Sequence, residues 1–388
     1  MIMKKVLLSS VAVIGLASLA TPAAAQVKLD LGGYFKGYGV YTSQDDGVAN
    51  VTEERSFDII RETEIHFGGE TTLDNGLTVG AHFETQADRG DGMNVQESYV
   101  YMSGGWGRVN VGAEDGAAYL LQVEAPSADS NLDGIRQYVN PFNSAEAGVL
   151  SALDVANGGL DYDQDATGYN DKLTYLSPIM NGFQVGVSYT PDLADSSLED
   201  AANREDQDNE FGAAYDAAVR YEGQFNNVGV ILGAGYTHVD LEDVVAVGAN
   251  DFTDDRTQWN VGADFDIGPF GVGVAYMEDD FGDTGNNSTT VRRDEEETWV
   301  VGVDYTTGPF KLGASYINKD GAANVIGDTG NDGVESERYT GGVTYTYGPG
   351  MTFRGSVSYV DHDNVAGLAG TDDDIDATSV LLGTQINF

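Results

Sequence analysis

Apolar residues alternate one by one with polar or small residues through much of this chain. Phe270, Val272, Val274 and Tyr276 are interleaved with Gly271, Gly273 and Ala275. Trp299, Val301, Val303 and Tyr305 alternate with Gly302, Asp304 and Thr306, and Phe310, Leu312, Ala314 and Tyr316 with Lys311, Gly313 and Ser315. Trp259, Val261, Ala263, Phe265 and Ile267 alternate with Asn260, Gly262, Asp264 and Asp266. Successive strand side chains point to opposite faces, so each segment predicts a strand with one apolar face and one polar or small face. The apolar sets begin and end with aromatics: Phe183 to Tyr189, Phe270 to Tyr276, Phe353 to Tyr359. Seven residues at about 3.3 Å each reach roughly 20 Å. That approximates an apolar band with an aromatic girdle at either rim.

The pattern predicts sixteen strands, near 27–42, 56–71, 77–87, 94–104, 108–114, 169–177, 183–191, 211–224, 228–240, 256–268, 270–280, 294–307, 310–320, 335–347, 351–362 and 375–388. Links after even-numbered strands are tight, as at Asp74-Asn75-Gly76, Gly104 to Gly107, Asn226-Asn227, Gly268-Pro269, Gly308-Pro309 and Gly348-Pro349-Gly350. Links after odd-numbered strands are long and acidic, as at 192–210, 241–255, 281–293, 321–334 and 363–374. Short turns at one rim and long loops at the other belong to an all-β fold, a transmembrane antiparallel β-barrel. A soluble all-β protein with mixed hairpins has no reason to keep that rhythm.

The first residues predict a targeting segment. Lys4 and Lys5 precede an apolar run from Val6 to Leu19, and Ala23-Ala24-Ala25 supplies a small-residue cleavage pattern. The expected division is a signal peptide at 1–25 and a barrel at 26–388. The apolar run is too short for a spanning helix, which needs roughly 20 residues, and no other segment approaches that length.

Composition sharpens the picture. The chain has 51 Gly, 21 Tyr, 15 Phe, 8 Pro and no Cys among 388 residues, with a formal net charge of -44. Without cysteine there is no disulfide framework or thiolate metal site. Such acidity fits a calcium-loaded or halophile-like secreted protein, or a barrel with acidic loops and lumen. It excludes a nucleic-acid partner, whose phosphates would be repelled.

The hairpin Tyr169-Asn170-Asp171-Lys172-Leu173-Thr174-Tyr175-Leu176-Ser177-Pro178, with Asn181-Gly182-Phe183-Gln184-Val185-Gly186-Val187-Ser188-Tyr189, resembles the Gram-negative general porins, most of all those of alphaproteobacteria. Val380, Leu382, Ile386 and Phe388 share one face of the last strand, and the final Phe is similar to the signal read by outer-membrane assembly machinery. The resemblance implies a location in the cell outer membrane among bilayer and lipopolysaccharide. It also implies a homotrimer and passive exchange of small hydrophilic solutes. It implies further that the long third loop, 115–168, folds into the lumen and narrows it.

That loop and its approach carry Glu114, Asp115, Glu124, Asp129, Asp133, Glu146, Asp154, Asp161, Asp163 and Asp165, with Arg136 as the only base. The resemblance sets such acids against a basic wall. By parity the inward bases are Lys36, Arg108, Lys172, Arg220, Lys311 and Arg354, with His66 and His82 on neighbouring strands. Strands two and three also turn Glu62, Glu64, Glu70 and Glu84 inward, so the basic wall is thinner than the resemblance implies. Arg61 falls on the apolar parity, which predicts a bulge or a place in a subunit interface. Two charges 4 Å apart at an effective dielectric near 20 interact by about 4 kcal/mol, so unpaired carboxylates at a narrow point predict cation preference.

Acid clusters at Asp279-Asp280, Glu295-Glu296-Glu297 and Asp372-Asp373-Asp374 have the oxygen-rich chemistry of calcium, without a readable ligand set. The stretch Asp328 to Gly333 matches a calcium loop only faintly. No other cofactor is expected. A substrate-specific channel for a sugar or other small solute is the alternative; Tyr34, Tyr38, Tyr119 and Tyr138 are its candidate stacking residues. A plugged surface receptor is a third reading. An outer-membrane hydrolase needs a nucleophile beside a base. None of the four histidines, His66, His82, His238 and His362, sits in such a motif, and the last two read as surface residues at strand ends.

Overall fold

The computed structural model describes residues 27–44, 55–87, 92–127, 132–133, 136–137, 160–193, 210–242, 254–282, 291–292, 295–321, 324–325, 335–363 and 375–388. Sixteen strands form a closed barrel. They are β1 (Lys28–Gln44), β2 (Phe57–Thr72), β3 (Thr78–Gln86), β4 (Asn94–Gly104), β5 (Gly107–Ala113), β6 (Asp171–Leu176), β7 (Phe183–Thr190) and β8 (Phe211–Phe225), then β9 (Val228–Leu241), β10 (Arg256–Ile267), β11 (Phe270–Asp280), β12 (Glu295–Thr307), β13 (Phe310–Asp320), β14 (Glu335–Gly348), β15 (Met351–Asp363) and β16 (Ile375–Asn387). Each pairs antiparallel with its neighbour in sequence. β16 returns to β1 in a register running from Tyr34 opposite Asn387 to Gln44 opposite Ala377. Backbone groups facing hydrocarbon have no water to bond, and ring closure pairs them all.

Burial is inverted relative to a soluble protein. On β7 the side chains of Val185, Val187 and Tyr189 are exposed, while Ser188 and Thr190 are buried. Val301, Val303 and Tyr305 on β12 point outward, with Glu296 and Thr298 buried on the other parity. Aromatic pairs ring both rims. Phe183–Tyr221, Phe270–Tyr305 and Phe310–Tyr345 lie near the short turns, with centroids 4.7, 4.9 and 4.9 Å apart. Tyr189–Tyr215, Tyr276–Trp299 and Tyr316–Tyr339, at 5.3, 4.6 and 4.8 Å, lie near the long loops. Each such pair contributes about 0.5–1.5 kcal/mol beyond its buried area.

The tight turns use residues suited to left-handed backbone. Gly76 sits at φ 84° and Asn226 at φ 54°, the second tolerable because asparagine visits that region more readily than most residues. The strands expected at 94–104, 270–280 and 310–320 form with those bounds. β6 is shorter than its expected span because Asn170 leaves the ladder, its side-chain amide donating to the Leu193 carbonyl at 3.0 Å. Arg61 lies opposite Gly37 in an unbroken β1–β2 register, so no bulge explains its outward side chain. Among the described residues no helix is long and apolar enough to cross a membrane; the strands do the crossing.

Candidate functional site

The wall opposite the exposed apolar face carries a bed of small residues. Gly186 (β7), Gly233 (β9), Gly262 (β10), Gly273 (β11) and Gly302 (β12) share it, and the segment Ala117–Pro126 lies across them. A Cβ on Gly262 would meet the Val123 carbonyl oxygen at 2.5 Å, and one on Gly273 the Pro126 Cδ at 2.6 Å. The segment opens with a one-turn helix, α1 (Ala117–Leu120), whose first amide, Ala117 N, donates to Ser188 Oγ at 2.8 Å.

The far end of the same connection, 160–168, runs beside it. Gln122 Nε2 donates to the Tyr162 carbonyl at 2.6 Å, and Gln164 N returns a bond to Gln122 Oε1 at 2.9 Å. Gln164 Nε2 donates to Thr237 Oγ1 at 2.8 Å, and Asn260 Nδ2 donates to Gln164 Oε1. Leu160 and Tyr162 pack with Ala275, Val300, Ile317 and Val360, apolar side chains on the inward parity. Burial pushes the Tyr162 phenol well above its ordinary pKa, so it stays protonated.

Sequence-predicted site residues divide into three groups. Lys172, buried on β6, donates from Nζ to the carbonyls of Glu114 and Gly168, the latter at 2.6 Å. It ties both ends of the long connection within the field of Asp165, Asp115 and Asp216. Arg220 donates to the Gln122 carbonyl at 2.7 Å and to Glu222 at 2.8 Å. Glu114 accepts from Asn110 Nδ2 at 2.7 Å. These three, with buried Asp115, gather where the connection leaves and meets the wall.

Lys36 and Arg108 stand apart from them. Lys36 Nζ lies 3.6 Å from Glu62 Oε2 and 4.4 Å above the Tyr34 ring. Arg108 donates to Asn110 at 2.6 Å and stacks 4.0 Å from the Tyr101 ring centre. Arg354 takes the inward parity of buried Ser356 and Ser358 on β15. Glu124 belongs to the described segment, whereas Asp129 and Glu146 lie outside the described residues, as do Arg136's and Asp133's side chains.

Among the described residues, the inward parity also carries bases beyond those expected, including Arg256, Lys319 and Arg338. Arg256 Nη2 pairs with Asp279 at 2.6 Å, and Lys319 Nζ with Glu296 at 2.8 Å. All three lie inside the expected strands 256–268, 310–320 and 335–347 on the inward parity, so the same alternation identifies them. Asp279 and Glu296, expected in calcium-type clusters, are therefore ion-pair partners on the wall; Asp372 to Asp374 lie outside the described residues. The surface reading of His362 is also overturned. It is buried on the inward parity of β15, with Nδ1 2.7 Å from Ser336 Oγ. His238 keeps its place near the loop rim, 3.0 Å from Asp240.

The remaining cluster lies on β2, β3 and β4. His66 sits opposite Glu84, and Glu84 opposite Glu97. His66 Nε2 is 2.8 Å from Glu64, and its Nδ1 is 3.0 Å from Glu84. His82 Nε2 lies 3.4 Å from both Glu84 and Glu97. Where the resemblance set a basic wall, this face holds imidazoles wrapped in carboxylates.

A closed sixteen-strand ring with apolar side chains outward, polar side chains inward and the two described ends of one long connection on the inner wall has a counterpart among known proteins. The Gram-negative porin family profile matches residues 10–365. The chain belongs to that family. As a Gram-negative porin it is an outer-membrane channel for small solutes, and this membership indicates no enzymatic activity. The solved anion-selective porin from Comamonas acidovorans is 15% identical, with 94% of this chain and 100% of that chain covered and a TM-score of 0.61. OmpF of Salmonella typhi, in complex with daunomycin, is 18% identical, covering 93% and 98%, at 0.60. The trimer form of OmpT from Vibrio cholerae is 15% identical, covering 93% and 99%, at 0.56. At these identities the likeness shows the porin fold. Among curated proteins, an uncharacterized protein of Rickettsia conorii is 27% identical over 122 residues; the match spans 26% of this porin and 26% of that relative. That short match lends the alphaproteobacterial resemblance only weak support.

Proposed function

We propose that this porin is a homotrimeric, water-filled channel that favours cations, its long connection folded into the lumen as the narrow point. The observation that carries the charge preference is the β2–β4 wall. Glu62, Glu64, Glu84 and Glu97 line that wall, in contact with Lys36 and with the imidazoles of His66 and His82. Rings of carboxylates in a pore raise the local concentration of cations. The bond network between 115–127, 160–168 and the inner wall supports the narrowing. A reversal potential measured across a planar bilayer in a salt gradient tests the preference. An anion-selective sign would refute it.

Support for the trimer comes from Arg61. Its side chain is exposed on the apolar side of β2, next to Gly37. An arginine facing lipid costs about 2–4 kcal/mol at the bilayer midplane, less near the rims. A neighbouring protomer supplies protein in place of lipid, and the small Gly37 and Gly39 let it approach. Arg61→Glu is expected to lower the temperature at which the oligomer dissociates on a gel; an unchanged oligomer places Arg61 elsewhere.

The reading as a general channel, against a sugar-specific one, rests on the engagement of the tyrosines. Tyr34 donates to Glu62 and Glu64 at 2.8 and 2.9 Å, and Tyr38 is buried with Val40 and Leu381. Lys36 Nζ lies 4.4 Å over the Tyr34 ring, and Tyr138, a further stacking candidate, lies outside the described residues. Liposome swelling with solutes of rising size is expected to give a smooth cutoff, without saturation by one solute class.

A further inference from the structure

We propose that His66, His82, Glu84 and Glu97 form a lumen-wall site for one divalent transition-metal ion of the zinc class. Three donor side chains converge, His66, His82 and Glu84, and Glu97 adjoins them through His82. Glu84 Oε2 lies 3.0 Å from His66 Nδ1 and 3.4 Å from His82 Nε2, which is itself 3.4 Å from Glu97 Oε2. The donor atoms of His66, His82 and Glu84 all fall within 4.8 Å of one another. Zinc bonds of about 2.0–2.2 Å in a tetrahedron place neighbouring ligand atoms roughly 3.3–3.6 Å apart. The His66–Glu84, His82–Glu84 and His82–Glu97 separations lie near that edge length, and Glu97 has to swing toward the other ligands to complete the tetrahedron.

The backbone explains the convergence. Glu84 on β3 is flanked across the ladder by His66 on β2 and Glu97 on β4, and His82 is two residues away on the same face. Directly opposed residues have Cβ atoms about 4.5–5.5 Å apart, and an i, i+2 pair shares a face. The two imidazole rings stand edge to face, with centroids 5.7 Å apart. Three strands of a closed ring hold the four side chains, so the metal has only the Glu97 rotamer left to draw in.

The second shell is also built. His66 Nε2 donates to Glu64 Oε1 at 2.8 Å, which leaves Nδ1 as the coordinating nitrogen. Glu64 in turn accepts from the Tyr34 hydroxyl at 2.9 Å. A carboxylate behind a ligating histidine fixes its tautomer and raises its basicity. The nearest base on β5, Arg108, turns its donors to Asn110 and Tyr99 and stacks over Tyr101. It does not occupy the cluster.

The donor set selects the ion. Calcium and magnesium take oxygen ligands, whereas two imidazoles with two carboxylates suit zinc, copper or nickel. Coordination requires His66 Nδ1 to give up any proton it holds toward Glu84, so affinity falls in acid. Two positive charges arrive and one proton leaves, so the wall gains one net positive charge and one of the carboxylates that attract cations is offset. That consequence rests on the channel reading above; the binding itself does not.

Equilibrium dialysis of the detergent-solubilised porin against zinc chloride, with metal counted by mass spectrometry, tests the site. One zinc per chain is expected, with millimolar calcium unable to compete. Glu64→Gln, which leaves all four ligands, is expected to weaken binding about 10–100-fold. The double variant His66→Gln/His82→Gln is expected to lose it, with heat-modifiable gel mobility as the check that the barrel has formed. Cobalt bound to the native protein gives a second readout: intense visible absorption marks four-coordination, and a pale six-coordinate spectrum speaks against this site. No uptake by the native porin overturns the proposal. So does zinc that persists in the double variant and vanishes in His238→Gln, which would place it at the rim cluster of His238, Asp240 and Asp255. If zinc binds as stated and the reversal potential does not move toward zero, the site stands and the lumen-selectivity reading falls.

Discussion

The Tyr162 hydroxyl accepts the backbone amide of Ala125 at 3.1 Å, joining the two ends of the long connection 37 residues apart. Its ring is buried between that connection and the apolar residues of the inner wall. Tyr162 thus contributes one hydrogen bond and one buried aromatic ring to the contacts that hold the loop, and the two effects separate by mutation.

Tyr162→Phe keeps the ring and loses one hydrogen bond, a cost of about 0.5–1.5 kcal/mol. Single-channel conductance should stay close to that of the native porin. Tyr162→Ala removes the ring, costs about 3–5 kcal/mol in lost packing, and should raise conductance and current noise as the connection leaves the wall. Equal conductance in both variants would place the narrow point elsewhere.

Glycine at 262 and 302 is a matter of clearance. Added side chains there run into the backbone of Val123 and Pro126. Gly302→Val should lift the connection and change conductance. Gly341→Val on the outer face of β14, where nothing lies within 4 Å of the added carbon, should leave it unaltered. Bilayer recordings of the two variants side by side make the comparison.

Lys172 is a buried charge whose partners are carbonyls and nearby acids. Lys172→Met removes the cation and leaves Asp115, Asp165 and Asp216 without its field. Breaking a buried charge network from one side costs about 3–5 kcal/mol. The unfolding temperature in detergent, followed by heat-modifiable mobility, should fall clearly. An unchanged temperature would show that water in the lumen screens these acids.

Selectivity that comes from wall carboxylates should be salt-dependent. The screening length is about 10 Å at 0.1 M salt and about 3 Å at 1 M. The cation-to-anion permeability ratio should therefore be larger in dilute salt, and Glu62→Gln/Glu97→Gln should reduce it further. A ratio independent of salt would point to pore width in place of charge.

The barrel was legible because its signal is repeated. Every strand reports its faces by parity, and bilayer and water impose opposite demands on those faces. Phe270 to Tyr276 alone gives a strand; with the alternation of tight and long links it gives a ring. Lys36, Arg108, Lys172, Arg220 and Arg354 were placed inward by the same parity. What each inward side chain touches was hidden, because parity assigns a face and not a height or a neighbour. Lys172 read as a pore base and serves as a loop anchor. His66 and His82 read as additions to a basic wall, and the register sets them against Glu64, Glu84 and Glu97. The glycines under Val123 and Pro126 read only as the small half of an alternation, since nothing local tells a gap left for another segment from one left for water.

The seam between β1 and β16 has a consequence for how the molecule comes to exist. Gly33 and Phe388 exchange backbone hydrogen bonds at 3.0 and 3.1 Å, a contact that spans almost the whole polypeptide. Until that zipper fastens, any partly assembled ribbon has two raw borders ready to capture a stranger's backbone. Contacts so distant along the chain also form slowly. Safe delivery therefore depends on something that shields an open sheet in transit.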